Sequence, residues 1–108
     1  MARYKITTKS GSVYTLEIVY SKVSFISRLL RAKPKNQIVF MQIRDSKEGM
    51  LKEPRLLRFM WVSFAYNCEA VDEKNLTEKD IYDATYIHYI SGDNNIGRTA
   101  IITLVEKI

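Results

Sequence analysis

The segment RLLRAKPK, residues 28–35, places four cations close together, on Arg28, Arg31, Lys33 and Lys35. A guanidinium group binds phosphate in bidentate fashion, and an ammonium group binds it as a point charge. A compact cluster of this kind therefore predicts a contact with nucleic acid. There is also a purely structural explanation, because basic residues in the last turn of a helix stabilise its dipole whatever the protein binds.

The same four letters, RLLR, recur at residues 55–58, after a charged connection that contributes Lys47 and Lys52. If this second copy is a strand, Arg55 and Arg58 point to opposite faces, since side chains alternate along a strand. Loops often carry recognition, which favours the connection as a binding element. The predicted nucleic-acid or partner-binding residues are Arg28, Arg31, Lys33, Lys35, Lys47, Lys52, Arg55 and Arg58.

Aromatic rings between cations are candidate stacking platforms for nucleic-acid bases. Tyrosines occur in and after the first strands, and more rings follow the second RLLR: Tyr4, Tyr14, Tyr20, Phe59, Trp61, Phe64 and Tyr66. No segment has the basic, glycine and aromatic pattern of an RRM. We expect most of these rings in the core, with tyrosine hydroxyls at its edge.

The residues for metal binding and catalysis are few. His88 is the only histidine and Cys68 the only cysteine, so the usual Cys/His zinc site cannot be built. A nucleophilic Cys68–His88 pair requires the two to meet across strands. The simpler expectation is a buried Cys68 and a His88 that faces out of a strand. Phosphate-cradling and serine-nucleophile motifs are missing, so we predict no cofactor.

Carboxylates are concentrated after residue 68 and are candidate Mg²⁺ ligands. They are Glu69, Asp72, Glu73, Glu78, Asp80 and Asp83. The triplet Asp72-Glu73-Lys74 also fits half of a restriction-nuclease pattern, with Asp45 as a partner carboxylate. Triplets of this kind arise by chance in charged loops. A metal-dependent nuclease therefore ranks third among our hypotheses, and we expect a protein that is not an enzyme.

Composition predicts one globular domain over residues 1–108, with 46% apolar and 27% charged residues. The net charge of +5 is unevenly distributed: residues 1–60 carry +9 and residues 61–108 carry −4. We expect a basic and an acidic face, provided that the two halves do not interleave. A lone cysteine, and no apolar run of signal-peptide or membrane-spanning type, predict a cytoplasmic protein without membrane contacts.

The first half of the chain alternates between strand and helix signals. Residues 3–20 have period-2 alternation around a Gly-containing turn, which predicts a β-hairpin. Apolar residues at helical spacing predict a helix over 21–32, which Pro34 prevents from continuing. Residues 37–44 are expected to form a buried strand, and 45–54 a polar connection.

The second half is expected to be mainly strand. The apolar run 55–71 predicts one long strand covered on both faces. Within 76–84, Thr77 and Asp80 have the spacing of a capping box, which predicts a short helix. Residues 85–91 and 98–108 are expected to close the fold as a hairpin.

These elements predict an α+β fold class, in a single small domain. The order β-β-α-β-β-α-β-β favours a mainly antiparallel sheet of about five to six strands with one main helix packed on it.

The leading functional hypothesis is a small basic protein that engages nucleic acid or a nucleoprotein complex through a positively charged face. The alternative is a protein-interaction module of the type found among phage and mobile-element accessory proteins. Such a module would bind and inhibit a host enzyme, for example a defence enzyme. It would dock by strand addition or through an aromatic and Arg-rich patch. The oligomeric state stays open.

Overall fold

The computed structural model of the chain describes residues 2–20, 36–66, 69–92 and 94–108, and they form a mostly antiparallel β-sheet. Its strands are β1 (Ala2–Thr8), β2 (Val13–Tyr20), β3 (Asn36–Asp45), β4 (Gly49–Ser63), β5 (Ala70–Asp72), β6 (Tyr86–Ile90), β7 (Ile96–Arg98) and β8 (Ile102–Lys107). Seven of them follow the order β7-β6-β4-β3-β2-β1-β8, and β5 pairs with β4 beside this path. The seven strands curl into a half-barrel.

The predicted α+β fold class is wrong, as is the expectation of one main helix on a sheet of five or six strands. Within the described ranges the only helix is α1 (Glu78–Asp83), which has six residues. A curled sheet turns one face inward, so its own side chains bury most of that face without a large helix. The predicted helix at 21–32 lies outside the described residues.

Two of the predicted strand boundaries were also wrong. The expected connection 45–54 is largely strand, because β4 begins at Gly49, and the expected long strand 55–71 is divided between β4 and β5. The expected closing hairpin forms only in part, because its second half, 98–108, is divided between the end of β7 and the separate strand β8. β7 pairs with β6, whereas β8 crosses to the other side of the sheet and pairs with β1.

The first hairpin, the strand over 37–44 and the short helix were predicted correctly. Helix α1 begins at Thr77, whose hydroxyl accepts a hydrogen bond from the Asp80 amide at 3.3 Å. The Asp80 carboxylate in turn accepts one from the Thr77 amide at 3.0 Å. This reciprocal pair is the capping box, and it satisfies two backbone donors that a helix start leaves without partners.

The core occupies the concave face of the half-barrel. Its largest fully buried side chains come from every long strand and from α1: Tyr4, Phe40, Ile6, Leu16, Ile81, Ile87 and Val62. Phe40 stacks on Tyr14 with ring centroids 5.2 Å apart. Burial of the Tyr14 hydroxyl is the main cause that raises its pKa to about 12, and the neighbouring Tyr89 adds to the shift.

Strand β4 has two sets of partners. Its first half pairs with β3 up to Leu57, opposite Phe40. From Arg58 onward it pairs with β6 on one side, and residues 61–63 pair with β5 on the other. Where β3 leaves, the Ile38 amide donates to the Glu73 carboxylate at 2.7 Å. A side chain therefore satisfies a backbone donor that the ladder no longer reaches.

Backbone hydrogen bonds hold the ends of the curled sheet together. The Lys9 amide donates to the carbonyl of residue 101 at 2.8 Å, and the Ile102 amide donates to the carbonyl of Thr85 at 2.9 Å. The segment that links β7 to β8 is thereby tied to both the first hairpin and the start of β6. Residues from three distant parts of the sequence consequently meet at this end of the sheet.

Gly97 is required where the edge strand β7 passes Tyr89. A Cβ added at Gly97 would lie 2.7 Å from the Tyr89 ring, too close for any real contact. The ring lies across the glycine and also packs near Tyr14 and Phe40, at centroid distances of 6.4 and 6.1 Å. The side chain of Tyr89 thus covers the gap that the glycine leaves in the edge of the sheet.

We predict that Gly97→Ala lowers the free energy of unfolding by about 1–3 kcal/mol, because the Tyr89 ring must move out of a packed position. Chemical denaturation measures the change. Gly92→Ala is the matched control: no heavy atom lies within 4 Å of its added Cβ, so its effect should stay within about 0.5 kcal/mol. Equal stabilities for the two variants would show that Gly97 needs no such space.

Candidate functional site

Four of the eight predicted binding residues can be located, and the other four cannot. Arg28, Arg31, Lys33 and Lys35 lie outside the described residues. Lys47 lies in the turn between β3 and β4, whereas Lys52, Arg55 and Arg58 lie on β4, and all four are exposed. The structure therefore tests the position of the second group of cations alone.

The located cations do not form one surface. Arg55 lies opposite the buried Gln42 and on the side of Leu57, and its Nη1 donates to the Gln42 Oε1 at 3.1 Å. Arg58 follows three positions later and lies on the convex face, as strand alternation requires. The RLLR of residues 55–58 is thus split between the two faces of the sheet.

The hairpin tip is mixed in charge rather than basic. Asp45 accepts hydrogen bonds from the backbone amides of Lys47 and Glu48, at 3.0 and 3.1 Å. The Glu48 amide, followed by the Lys47 amide, holds the pKa of this carboxyl below its ordinary value. Glu48 and Glu53 are exposed beside Lys47 and Lys52. Residues 45–53 therefore carry three carboxylates and two ammonium groups.

The two halves of the chain interleave, so the expected division into a basic face and an acidic face does not hold for the described strands. Lys5 on β1 lies directly opposite Glu106 on β8, and Arg3 lies opposite Glu17. Lys107 forms an exposed ion pair with Glu78 at 3.3 Å. Opposite charges on neighbouring strands reduce the local potential over this part of the surface.

A cleft beside β6 and β7 has cations but no carboxylate among the described residues that line it. It has a volume of about 380 Å³ and is lined by Lys9, Ser10, Tyr86, Arg98 and residues 99–101. The Arg98 guanidinium carbon lies 4.4 Å from the centroid of the Tyr86 ring, a cation–π contact that orients the group. The cleft can therefore hold an anion between a fixed guanidinium and an ammonium group.

A pair of stacked rings lies next to this cleft. Trp61 on β4 is opposite His88 on β6, and His88 is opposite Arg98 on β7. The Trp61 and His88 rings have centroids 5.0 Å apart and planes inclined by 23°. Burial and the Arg98 charge lower the pKa of His88. The ring is therefore largely neutral at pH 7 and suited to stacking.

These cations and rings form one surface, which we call the aromatic–basic face. It consists of Lys9, Arg58, Trp61, Tyr86, His88 and Arg98. The strand residues among them lie on the convex side, because their neighbours Phe59, Val62 and Ile87 are in the core. From the sequence, Arg58 was a predicted binding residue, Trp61 a candidate stacking ring and His88 a residue that faces out of a strand. It carried no signal for Lys9, Tyr86 and Arg98, because only the closure of the sheet brings them together.

A larger cleft, of about 480 Å³, lies where β3 leaves β4. Apolar side chains of Val39, Leu56 and Ile90 line it, together with the oppositely charged Arg58 and Glu73. One oxygen of Glu73 already accepts the Ile38 amide. Since its charges balance, this cleft has less attraction for an anion than the smaller one.

The geometry for the catalytic alternatives is incomplete. The Ser63 hydroxyl lies 3.0 Å from the His88 Nε2, within reach of a nucleophile–base pair. No carboxylate of the described residues hydrogen-bonds the other ring nitrogen, so a complete triad is not formed there. Cys68 lies outside the described ranges, which leaves its pairing with His88 open.

The carboxylates proposed for a nuclease lie far apart. Asp45 pairs with Gly49 at the hairpin tip, whereas Asp72 pairs with Trp61. Gly49 is the first residue of β4 and Trp61 is twelve residues further along it, so the two carboxylates lie near opposite ends of this strand. Asp72 accepts hydrogen bonds from Asn75 within its own turn. Across the described ranges, no three His, Cys, Asp or Glu side chains are grouped to hold a metal.

Comparison with family models, curated protein sequences and solved structures finds no match to this chain. In the part of the chain that the structure describes, no helix has the length and apolar character needed to cross a membrane.

We predict that Arg98→Gln raises the pKa of His88 toward about 6.5, its ordinary value. It should stay below that value, because burial is the larger cause of the shift. Proton NMR measures it directly, since this is the only histidine.

A lowered pKa favours the neutral ring in the folded state, so His88 stabilises the fold above pH 6.5 and loses this contribution as the pH falls through the lowered pKa. Lys79→Gln should leave the titration unchanged, and an unmoved pKa in Arg98→Gln would contradict the assignment.

Proposed function

We propose that the protein is a nucleic-acid-binding module that uses the aromatic–basic face. The observation that supports this most directly is the smaller cleft, whose described lining combines Lys9 and Arg98 with hydroxyl groups and contains no carboxylate. Phosphate is the anion that such a pair suits best. A guanidinium presents parallel N–H donors to two phosphate oxygens, while an ammonium adds charge without a fixed direction.

The rest of the face extends this contact. Arg58 is exposed on the same side of the sheet, one residue beyond the end of the β3 pairing, in the cleft that also contains Glu73. Its guanidinium offers a second phosphate contact at a distance from the first, and the nearby Glu73 carboxylate makes this contact the weaker of the two. Because a polymer with several phosphates can engage both positions, nucleic acid fits the face better than a single small anion.

The overall charge supports the same proposal. A net charge of +5 attracts a polyanion at long range and speeds its encounter with the protein. The cations at Arg28, Arg31, Lys33 and Lys35 stay predicted contributors, as do Lys47, Lys52 and Arg55. A nucleoprotein complex as the target, a non-enzymatic role and a cytoplasmic location likewise stay predictions.

A protein partner is the second candidate, and exposed apolar side chains favour it. Met50 and Leu56 on β4 have 70% and 68% of their surface exposed. Strand addition is disfavoured there, because residues 51–54 bulge opposite Ile43 and include Pro54, which lacks an amide donor. A host enzyme would therefore have to bind these side chains rather than extend the sheet. Capture from nuclease-treated lysate that is lost in a Met50→Lys, Leu56→Lys variant would favour this candidate.

We predict that a Lys9→Gln, Arg98→Gln variant binds nucleic acid more weakly at low salt. Its slope of log affinity against log salt should be less steep by about 2, since two phosphate contacts are removed. Fluorescence anisotropy with a labelled oligonucleotide at several salt concentrations measures both quantities.

The matched control is Arg3→Gln, Lys79→Gln, which removes the same two residue types from exposed positions outside the aromatic–basic face. Its slope should stay close to that of the unchanged protein. Equal losses in the two variants would assign binding to net charge alone. Absence of binding by the unchanged protein at low salt would refute the proposed function.

A further inference from the structure

We infer that the aromatic–basic face selects single-stranded over double-stranded nucleic acid, because it places the Trp61–His88 ring stack beside the Lys9–Arg98 cleft. This inference rests on the proposed function and deepens it. The phosphate contact alone does not distinguish a single strand from a duplex. The distinction comes from the rings, which are a separate feature of the same surface.

The Trp61–His88 stack lies at the surface of the sheet rather than in the core, where it can serve as a stacking platform. Trp61 and His88 are both half-buried, while Val62 and Ile87, the next residues on the same two strands, have relative exposures of 0% and 1%. The two rings are therefore anchored at the sheet and reach the convex surface. His88 supports one face of the indole at a stacking distance of 5.0 Å between ring centroids. A base that stacks on these rings would extend an existing pair.

Neighbouring polar groups hold the platform in place. The Ser63 hydroxyl is 3.0 Å from the His88 Nε2, which fixes the orientation of the imidazole. Arg98 lies opposite His88 and is itself held over the Tyr86 ring. A platform that is already ordered loses little conformational entropy on binding, so more of the stacking energy contributes to affinity.

The spacing of the two features suits one nucleotide. Tyr86 and His88 are alternate residues of β6, so their attachment points lie about 6.6 Å apart on the same face. The base and the phosphate of a single nucleotide can therefore occupy the platform and the cleft together. In a duplex the base faces are stacked inside the helix and cannot reach the rings. Only unpaired bases use both features at once.

The test uses the folded full chain and three labelled probes: a 12-nucleotide oligo-dT, a 12-nucleotide oligo-U and a 12-base-pair DNA duplex. We expect at least one of the single strands to bind about tenfold or more tightly than the duplex, by anisotropy. The oligo-dT and oligo-U arms distinguish DNA from RNA as the preferred single strand. Trp61 is the only tryptophan, so stacking should also quench the intrinsic fluorescence of the protein.

Variants of the platform separate stacking from phosphate binding. Trp61→Ala should weaken single-strand binding about ten- to hundredfold and leave duplex binding nearly unchanged, whereas Trp61→Phe, which keeps a ring, should lose much less. If Trp61→Ala does not fold, as judged by circular dichroism, His88→Ala removes the support of the platform and should give a smaller loss of the same kind. Unchanged single-strand affinity in the variant that folds would overturn the inference.

The failures of the two proposals are distinguishable. Equal affinity for single strand and duplex, with no fluorescence quenching, would overturn the single-strand inference and leave the proposed function standing. No binding of any of the three probes at low salt would overturn both.

Discussion

The exchange of partners along β4 is the constraint on which the whole structure depends. A strand of fifteen residues pairs first with β3 and then, from Arg58 onward, with β6 and β5. One continuous strand therefore links the part of the sheet that contains β3 to the part that contains β5 and β6. The core is continuous where the hydrogen-bonding partner of β4 changes, because the buried side chains on both sides of this point belong to one cluster. They are Leu57, Phe59 and Val62. Loss of register at this point would turn core residues outward, because side chains alternate.

Curling of the sheet follows from this arrangement and creates the candidate site. The chain after β7 returns across the end of the sheet, where it bonds to Lys9 and Thr85, and β8 then pairs with β1. This return brings a residue of the first turn beside residues of β6 and β7. The cleft is thus a product of closure rather than of any local motif. Its chemistry depends on Arg98, which Tyr86 orients, and on a lining that has no carboxylate in the part of the chain that the structure describes.

Local features of the fold could be predicted from sequence, but long-range ones could not. Alternation over 3–20 and the Thr77–Asp80 spacing act between near neighbours, and both gave the observed elements. The partner of β8 could not be predicted, because its alternation fits pairing with β6 as well as with β1. The uneven charge of the two halves led to the wrong expectation of a basic and an acidic face for the same reason. Lys5 and Glu106 are about a hundred positions apart in the sequence but adjacent in the sheet. The rings and cations of the candidate site were likewise visible only as separate residues.

The location of the nucleic-acid contact can be read from amide NMR of the uniformly ¹⁵N-labelled protein with a short oligonucleotide. We expect the largest shifts on the Trp61 indole N–H and on the amides around Lys9, His88 and Arg98, with small shifts at the β3–β4 turn. Shifts that concentrate on residues 46–56 and leave the indole signal in place would show that nucleic acid binds elsewhere.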